Sequence, residues 1–310
     1  MNEFELIARL TKTLPANPTV VTGAGDDCAV LDFGLPDKLL LFKTDAVVEG
    51  VHFEKDTPPE KTGRKALARC LSDIAAMAGT PVAAVVTLGL PEHFKPETVG
   101  RIYDGLNALA KQQGVAVVGG ETTASPERIF ISVALLGTVR RGRQILRSTA
   151  QAGDAIFVTG ELGGSAAGRH LDFEPRLAEA RWLAQHFSVH AMIDLSDGLA
   201  GDLRHILKAS GVGAELLKSA IPISRAAREI ARKNPSGKTP AAAALSDGED
   251  FELLFTVTAG DAVRLLDAWK KHFPKLKLSC IGKTVAGEGI TLRDKTGAHK
   301  LDAHGYVHFA

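Results

Sequence analysis

Along the chain, apolar positions fall into short runs spaced as strands or as helices, and most of these runs end in an acidic or glycine-rich break. Phe4, Ile7 and Leu10 have helical spacing. Asn2, with Glu5 three positions on, predicts a capping box before them, and the helix should end ahead of Pro15. Strand-like runs follow at 19–21, 28–31, 39–42 and 47–53. Leu67, Leu71 and Ile74 place a helix over 60–78, Pro81 opens a very apolar strand at 82–90, and Pro96 opens a helix carried by Val99, Ile102, Leu106 and Leu109. Strands at 115–118 and 129–139 complete the first half. In the second half, strands are expected at 155–158, 191–193 and 251–257, and near Cys280 and Ile290. Helices are marked by Leu177, Leu183 and Phe187, and by Leu199, Leu203, Ile206 and Leu207; two more are expected over 221–233 and 261–272. This is an α/β pattern, in which the loops at strand ends build the sites.

Composition changes that picture little. With 310 residues, 45% of them hydrophobic, the chain can bury a core large enough for two domains. Arg140-Arg141-Gly142-Arg143 reads as an exposed linker and sets the expected domains at 1–142 and 143–310. Thirty-seven basic against 36 acidic residues leave a net charge of +1, so no global field points to nucleic acid or to a membrane surface. Cys28, Cys70 and Cys280 lie far apart, which argues against a disulfide framework or a thiolate zinc site and suits a reducing cytoplasm. Met1 to Leu14 has no basic region followed by an apolar run, and no apolar span reaches bilayer length. A soluble cytoplasmic protein is expected.

The acidic breaks carry the chemistry. Taken singly, each has a plain structural reading: Ser196 or Asp197 caps a helix, Gly25 closes a hairpin, and His52 is a structural histidine. Yet Asp194 and Asp197 stand three residues apart at one expected helix mouth. At about 6 Å and an effective dielectric of about 20, they would repel by roughly 3 kcal/mol, a cost that calls for a cation or for spread-out solvation. Similar breaks recur at 23–27, 43–45, 119–123 and 245–250. Carboxylates and hydroxyls without clustered His or Cys are the ligands of hard cations, and magnesium shares its shell with substrate phosphates. The pattern therefore points to an enzyme that handles nucleotide or phosphate. A Walker loop is absent, since Lys277 stands where the leading glycine before Gly282-Lys283-Thr284 should be. With no nucleophile paired to a base, the expected mechanism is positioning and charge neutralisation.

Seven blocks then resemble the thiamine-monophosphate kinase family in order and spacing. They are Gly25-Asp26-Asp27-Cys28-Ala29, Thr44-Asp45, Gly50-Val51-His52-Phe53, Leu71-Ser72-Asp73-Ile74-Ala75-Ala76-Met77, Gly119-Gly120-Glu121-Thr122-Thr123, Ile193-Asp194-Leu195-Ser196-Asp197-Gly198-Leu199 and Gly248-Glu249-Asp250-Phe251-Glu252-Leu253. Gly305-Tyr306-Val307-His308-Phe309 closes the series. The resemblance implies a two-domain α/β (α+β) fold of the aminoimidazole ribonucleotide synthetase type. In that fold an N-terminal sheet domain binds ATP and metal and dimerises, and a C-terminal α/β domain follows. It implies transfer of the terminal phosphate of ATP to thiamine monophosphate in a homodimer. By the same resemblance, Asp27, Thr44, Asp45, Asp73, Glu121, Asp194 and Asp197 would hold several Mg2+ ions, and Gly120, Arg147 and Ser196 would contact the nucleotide. His52, Glu249 and Tyr306 would face the substrate.

Four residues depart from the family pattern: Glu121 replaces an expected Asp, Lys43 a Ser, Cys70 an Asn and Asp247 a Gly. The segment between Ala167 and Pro175 is also shorter than the family's. An ammonium at 43 aimed into the site would take the place of one cation. The competing readings are a superfamily enzyme with another acceptor, and a catalytically impaired protein that binds nucleotide or thiamine phosphate.

Overall fold

The computed structural model describes residues 3–302 and 305–306, so the expected cap residue Asn2 lies outside the described residues. It divides into two compact units, one made of Pro18–Gln144 with Gly168–Leu177, the other of the rest of the chain. Among the described residues, no helix is long and apolar enough to cross a membrane.

After α1 (Glu3–Thr11), the first unit runs β1 (Val20–Thr22), β2 (Ala29–Leu31), β3 (Lys38–Val48), α2 (Pro59–Ala76), β4 (Thr80–Leu90), α3 (Pro96–Gln113), β5 (Ala116–Ala124) and β6 (Phe130–Arg140). The six strands form one sheet in the order β1-β2-β3-β6-β4-β5, antiparallel except for the β4–β5 pair, which α3 connects. A parallel pair needs such a crossover. The expected strand 39–42 and the first two residues of the one expected at 47–53 form a single strand here, which ends at Val48. Residues 49–53, with His52, turn instead of continuing it. β3 pairs with β6 without interruption from Lys38↔Arg140 to Val48↔Phe130, and this ladder carries the polar Lys43-Thr44-Asp45 through the sheet. Gly119 to Thr123, expected as a turn, likewise continues β5 alongside β4 as far as Ala124.

Alternation along β3 separates two faces. Leu39, Leu41 and Val47 are buried on the face that α2 covers, with Ile131, Val133 and Leu135 of β6. Phe42 and Thr44 lie on the other face, which is open. The α2 helix opens on Pro59 and buries Leu67, Leu71 and Ile74 against the sheet, as the 3.6-residue spacing requires.

The basic run at 140–143 is not a free linker. Arg140 ends β6, and Arg141 forks onto Asp32 with nitrogen–oxygen distances of 2.6 and 2.8 Å. That fork, helped by the Gly34 amide, lowers the Asp32 carboxyl from its ordinary 3.8 to about 2. Because the folded value lies below the unfolded one, the contribution to stability is present above 3.8 and is lost as pH falls through about 2. Arg141→Gln should return Asp32 toward 3.8 in a carboxyl-detected NMR titration.

The remaining elements are β7 (Ala155–Thr159), α4 (Arg169–Asp172), α5 (Leu177–His186), β8 (Val189–Asp194), α6 (Leu199–Ser210), β9 (Gly213–Leu217), α7 (Arg225–Lys233), α8 (Pro240–Ser246), β10 (Leu253–Val257), α9 (Ala262–His272), β11 (Leu278–Val285), β12 (Ile290–Asp294) and β13 (Gly297–Lys300). α4 belongs to the first unit. The second unit's sheet has the order β13-β12-β9-β11-β7-β10-β8. Every residue of β7 and β10 is buried, the mark of strands covered on both faces. Ile156 and Val158 pack with Leu203 and Ile206 of α6, while Phe157 and Phe255 stack at 5.6 Å. Two expectations shift. The helix expected from residue 221 starts at Arg225, where Ser224 caps it by accepting from Ala227 N. The α6 N-cap is Gly198, without a side-chain cap, so neither Ser196 nor Asp197 serves as its cap.

Candidate active site

In the first unit, four charged side chains meet where α2 ends under β3. Lys43 and Asp45 are two residues apart on a strand and so share a face, the one turned toward α2. The Lys43 Nζ lies 3.0 Å from Asp73 Oδ1 and 3.8 Å from Asp45 Oδ1. Asp73 stands in the last turn of α2, flanked by Ala75 and Ala76, small residues that let the strands approach it. Asp27, at the end of the glycine-rich turn, is almost fully buried nearby. Burial opposes the charge on Lys43, but Asp73, Asp45 and Asp27 together outweigh it and hold the ammonium well above its ordinary range. Burial, and then the Asp73 and Asp27 charges, push the Cys28 thiol up, while burial and the charges of Asp45 and Asp73 do the same to Cys70. Both thiols are buried packing groups.

Other expected residues of this unit stand apart from the cluster. The Thr44 side chain projects from the open face, 3.3 Å from Ser132 Oγ, because strand alternation turns it away from Asp45. Glu121 is exposed on β5, and its Oε1 accepts from Thr122 N at 3.1 Å. Gly120 has a packing reason to be glycine, since a Cβ there would lie 1.8 Å from the Val86 carbonyl. His52 sits in the turn after β3 with Nδ1 accepting from Val48 N, so the neutral ring carries its proton on Nε2.

In the second unit, the acidic break after β8 is clamped by main chain. Leu195 N donates to Glu252 O, Phe251 N to Leu195 O, Glu249 N to Ser196 O and Tyr306 N to Asp197 O. These bonds bring Ser196, Asp197, Glu249 and Tyr306, far apart in sequence, to one place. The clamp holds backbone strain: Glu249 has φ 53 and Phe251 φ 49, left-handed values that non-glycine residues adopt at a cost of about 1–3 kcal/mol each. Gly248, at φ 74, is required there, because a Cβ would lie 2.7 Å from the Ser196 carbonyl. Asp250 accepts from Gly163 N through both carboxylate oxygens, which ties the 160–165 turn to the same clamp.

Asp194 is buried at the end of β8, and Asp202, 1% exposed, accepts from Asp197 N at 3.0 Å. Burial, then the charges of Asp197 and Asp194, push the Asp202 carboxyl well up; the Asp197 N–H and Arg147 oppose this. Ligand atoms of Asp197, Asp202 and His205 lie within 4.8 Å of one another. Carboxylates crowded in this way, with only part of their charge offset by Arg147 and the Asp197 N–H, fit a hard cation such as Mg2+.

Two residues here were not singled out by sequence reasoning. Asp202 carried a signal, an acid on the first turn of an amphipathic helix next to an acidic break. Lys65 carried none. It lies among apolar residues of α2 at 0% exposure, with Nζ 2.6 Å from His52 O and 2.7 Å from His170 Nδ1. An unpaired buried ammonium would cost several kcal/mol, so those bonds are obligatory.

Two sheets of this build, each with an acidic break beside a helix, define a class. The description "AIR synthase related protein, N-terminal domain" matches residues 25–139, and its C-terminal counterpart matches residues 151–295. The thiamine-monophosphate kinase of Rhodopirellula baltica is 40% identical, over 94% of this chain and 92% of its own. That of Bacillus subtilis is 33% identical over the full length of both chains. Among solved structures, AaThiL complexed with AMPPCP and TMP superposes with a TM-score of 0.84 at 34% identity, covering 99% of this chain and 97% of that one. The chain belongs to the thiamine-monophosphate kinase family.

Proposed function

We propose that this protein transfers the terminal phosphate of ATP to thiamine monophosphate, forming thiamine diphosphate and ADP. The observation that carries this reading is the full-length likeness to a kinase crystallised with AMPPCP and TMP. The local chemistry supports it. A phosphate monoester with a second pKa of about 6 is largely a dianion at neutral pH, so the acceptor needs no strong base. What the reaction needs is positioning and offset of negative charge.

In the first unit, Asp27, Asp45, Asp73 and Glu121 would hold Mg2+, with Thr44 contributing through its carbonyl, and Gly120 would pass the nucleotide close to the backbone. In the second, Asp194 and Asp197 would hold Mg2+, while Ser196 and Arg147 contact phosphate. Mg2+ held there would supply positive charge that offsets the negative charge of the phosphates. Lys43 already neutralises part of the Asp73–Asp45 pair, which lowers the number of ions that pair needs. His52, Glu249 and Tyr306 would take the acceptor, with the half-exposed Tyr306 ring available to stack on it. Residues 1–142 form the nucleotide- and metal-binding domain in this reading, and 143–310 the second domain.

The open sheet face suits a second copy of the chain in the cytoplasm. Val118 is 66% exposed on edge strand β5, with Val82 and Val85 exposed on the adjacent β4 and Phe42 on β3 of the same sheet. Edges and apolar patches of this kind mark association surfaces.

The test is thiamine diphosphate and ADP formation from thiamine monophosphate, ATP and Mg2+, with free thiamine as control acceptor. Product from the monophosphate alone is expected, and light scattering of the same sample should give twice 32.8 kDa. Nucleotide binding without product under Mg2+ or Mn2+ would replace this reading with the impaired-binder one that Lys43 motivates. Turnover confined to another acceptor would make the protein a different superfamily enzyme.

A further inference from the structure

The segment Gly168–Leu177, which carries α4, belongs to the first unit and forms a strap across α2. Three basic residues at helical spacing hold it: Lys61 pairs with Asp172 at 2.6 Å, Arg64 with the Phe173 carbonyl and Glu174 at 2.6 Å each, and Lys65 with His170. Positions i, i+3 and i+4 share a helix face, so one face of α2 serves as the seat. Lys61, Asp172 and Glu174 are exposed, and pairs of that kind hold weakly. Lys65 is the buried anchor.

An ammonium only donates, so His170 Nδ1 accepts and the ring proton sits on Nε2. A second hydrogen of the same ammonium goes to the His52 carbonyl. His52, in the turn after β3, is thus held twice, by Lys65 at its carbonyl and by Val48 N at its ring. Phe53, the next residue, is buried and forms a wall of a cavity of about 630 Å³ lined also by Thr62, Phe94, Val99, Ile102 and Ile129. Movement of the His52 carbonyl therefore moves both the His52 ring and that wall.

We propose that Lys65 is a positioning residue of the acceptor site: its buried ammonium ties the Gly168–Leu177 strap to the His52 turn, so that docking of the strap sets affinity for the phosphorylated acceptor. The proposal rests on His52 as an acceptor-side residue. It gives the strap, the segment in which this chain is shorter than its family pattern, a direct connection to the acceptor. Lys65 itself touches no reacting group in this scheme.

The experiment compares the full-length wild type with Lys65→Met, His170→Ala and the double variant. Its first readout, amide hydrogen exchange, needs no activity. Lys65→Met should speed exchange at least about tenfold in both 48–55 and 168–177, and His170→Ala should speed it two- to fivefold in both. The second readout is kinetic: the KM for thiamine monophosphate should rise at least about tenfold in Lys65→Met, with kcat and the KM for ATP within about threefold of wild type. The double variant should be no worse than Lys65→Met. Loosening of 168–177 alone, in either single variant, overturns the proposal. So does an equal loss in kcat and both KM values with protection falling throughout the protein, which marks a merely structural lysine. If Lys65→Met does not fold, His170→Ala decides by whether 48–55 loosens with the strap. If the wild type does not phosphorylate thiamine monophosphate, the functional reading falls and the exchange data still decide the coupling.

Discussion

Asp73→Asn is expected to lower kcat/KM for phosphoryl transfer by roughly 10²–10³-fold or more, the loss that follows removal of one group placed to stabilise transition-state charge. Asp73 lies 3.0 Å from the Lys43 ammonium, against 3.8 Å for Asp45, and it is buried at the foot of α2. Its replacement removes one negative charge from a site that would bind Mg2+ through negative charge, while the amide oxygen can still accept from Lys43. The fold should therefore survive, with an unchanged near-ultraviolet spectrum and a melting temperature within a few degrees of wild type. Mg2+ dependence should move to higher concentration, which separates a lost metal ligand from general damage. A folded Asp73→Asn protein with kcat/KM within threefold of wild type would take Asp73 out of the metal set.

The second large effect concerns stability. Gly105→Ala should destabilise the first unit by about 3 kcal/mol or more, beyond the usual cost of overpacking, because the obstacle is backbone. A Cβ on Gly105 of α3 would lie 1.8 Å from the Glu60 carbonyl, and one on Gly63 of α2 would lie 1.8 Å from the Ile102 carbonyl. The two helices touch main chain to main chain at these two points, and a methyl group at either has to part them. Parting them would also displace α2, which carries Lys65 and Asp73. Gly100, on the same helix, is the control, since a Cβ there meets nothing within 4 Å. Gly100→Ala should stabilise by about 0.5–1 kcal/mol through helix propensity and reduced unfolded-state entropy. Urea midpoints of the three proteins measure both shifts. A Gly105→Ala midpoint equal to wild type would mean that α2 and α3 are not in backbone contact.

The helices and strands were largely legible because they follow from local periodicity. Leu67, Leu71 and Ile74 could face one way only on a helix, and α2 faces them to the sheet. The misreadings share one cause. Lys43-Thr44-Asp45 and Gly119–Thr123 look like breaks because their residues are polar or lack side chains, yet hydrogen bonding to β6 and to β4 carries both segments through as strand. Ser196 and Asp197 have the residue types of helix caps, but the clamp from Glu249 to Glu252 holds their backbone and leaves Gly198 at the cap.

By itself, then, the sequence determined the α/β alternation, the positions of the acidic breaks and, through its ordered motifs, the family. The tertiary structure alone decided which groups meet. Lys43 points at Asp73 and Asp45 because β3 is one continuous strand whose odd positions face α2. Thr44 points away for the same reason, and a buried lysine bridges the strap to the His52 turn. Periodicity is a property of neighbours in the chain, whereas the register of strands paired some 90 residues apart, and the ammonium bridging residues 52 and 170, are set by non-local packing that no local pattern encodes.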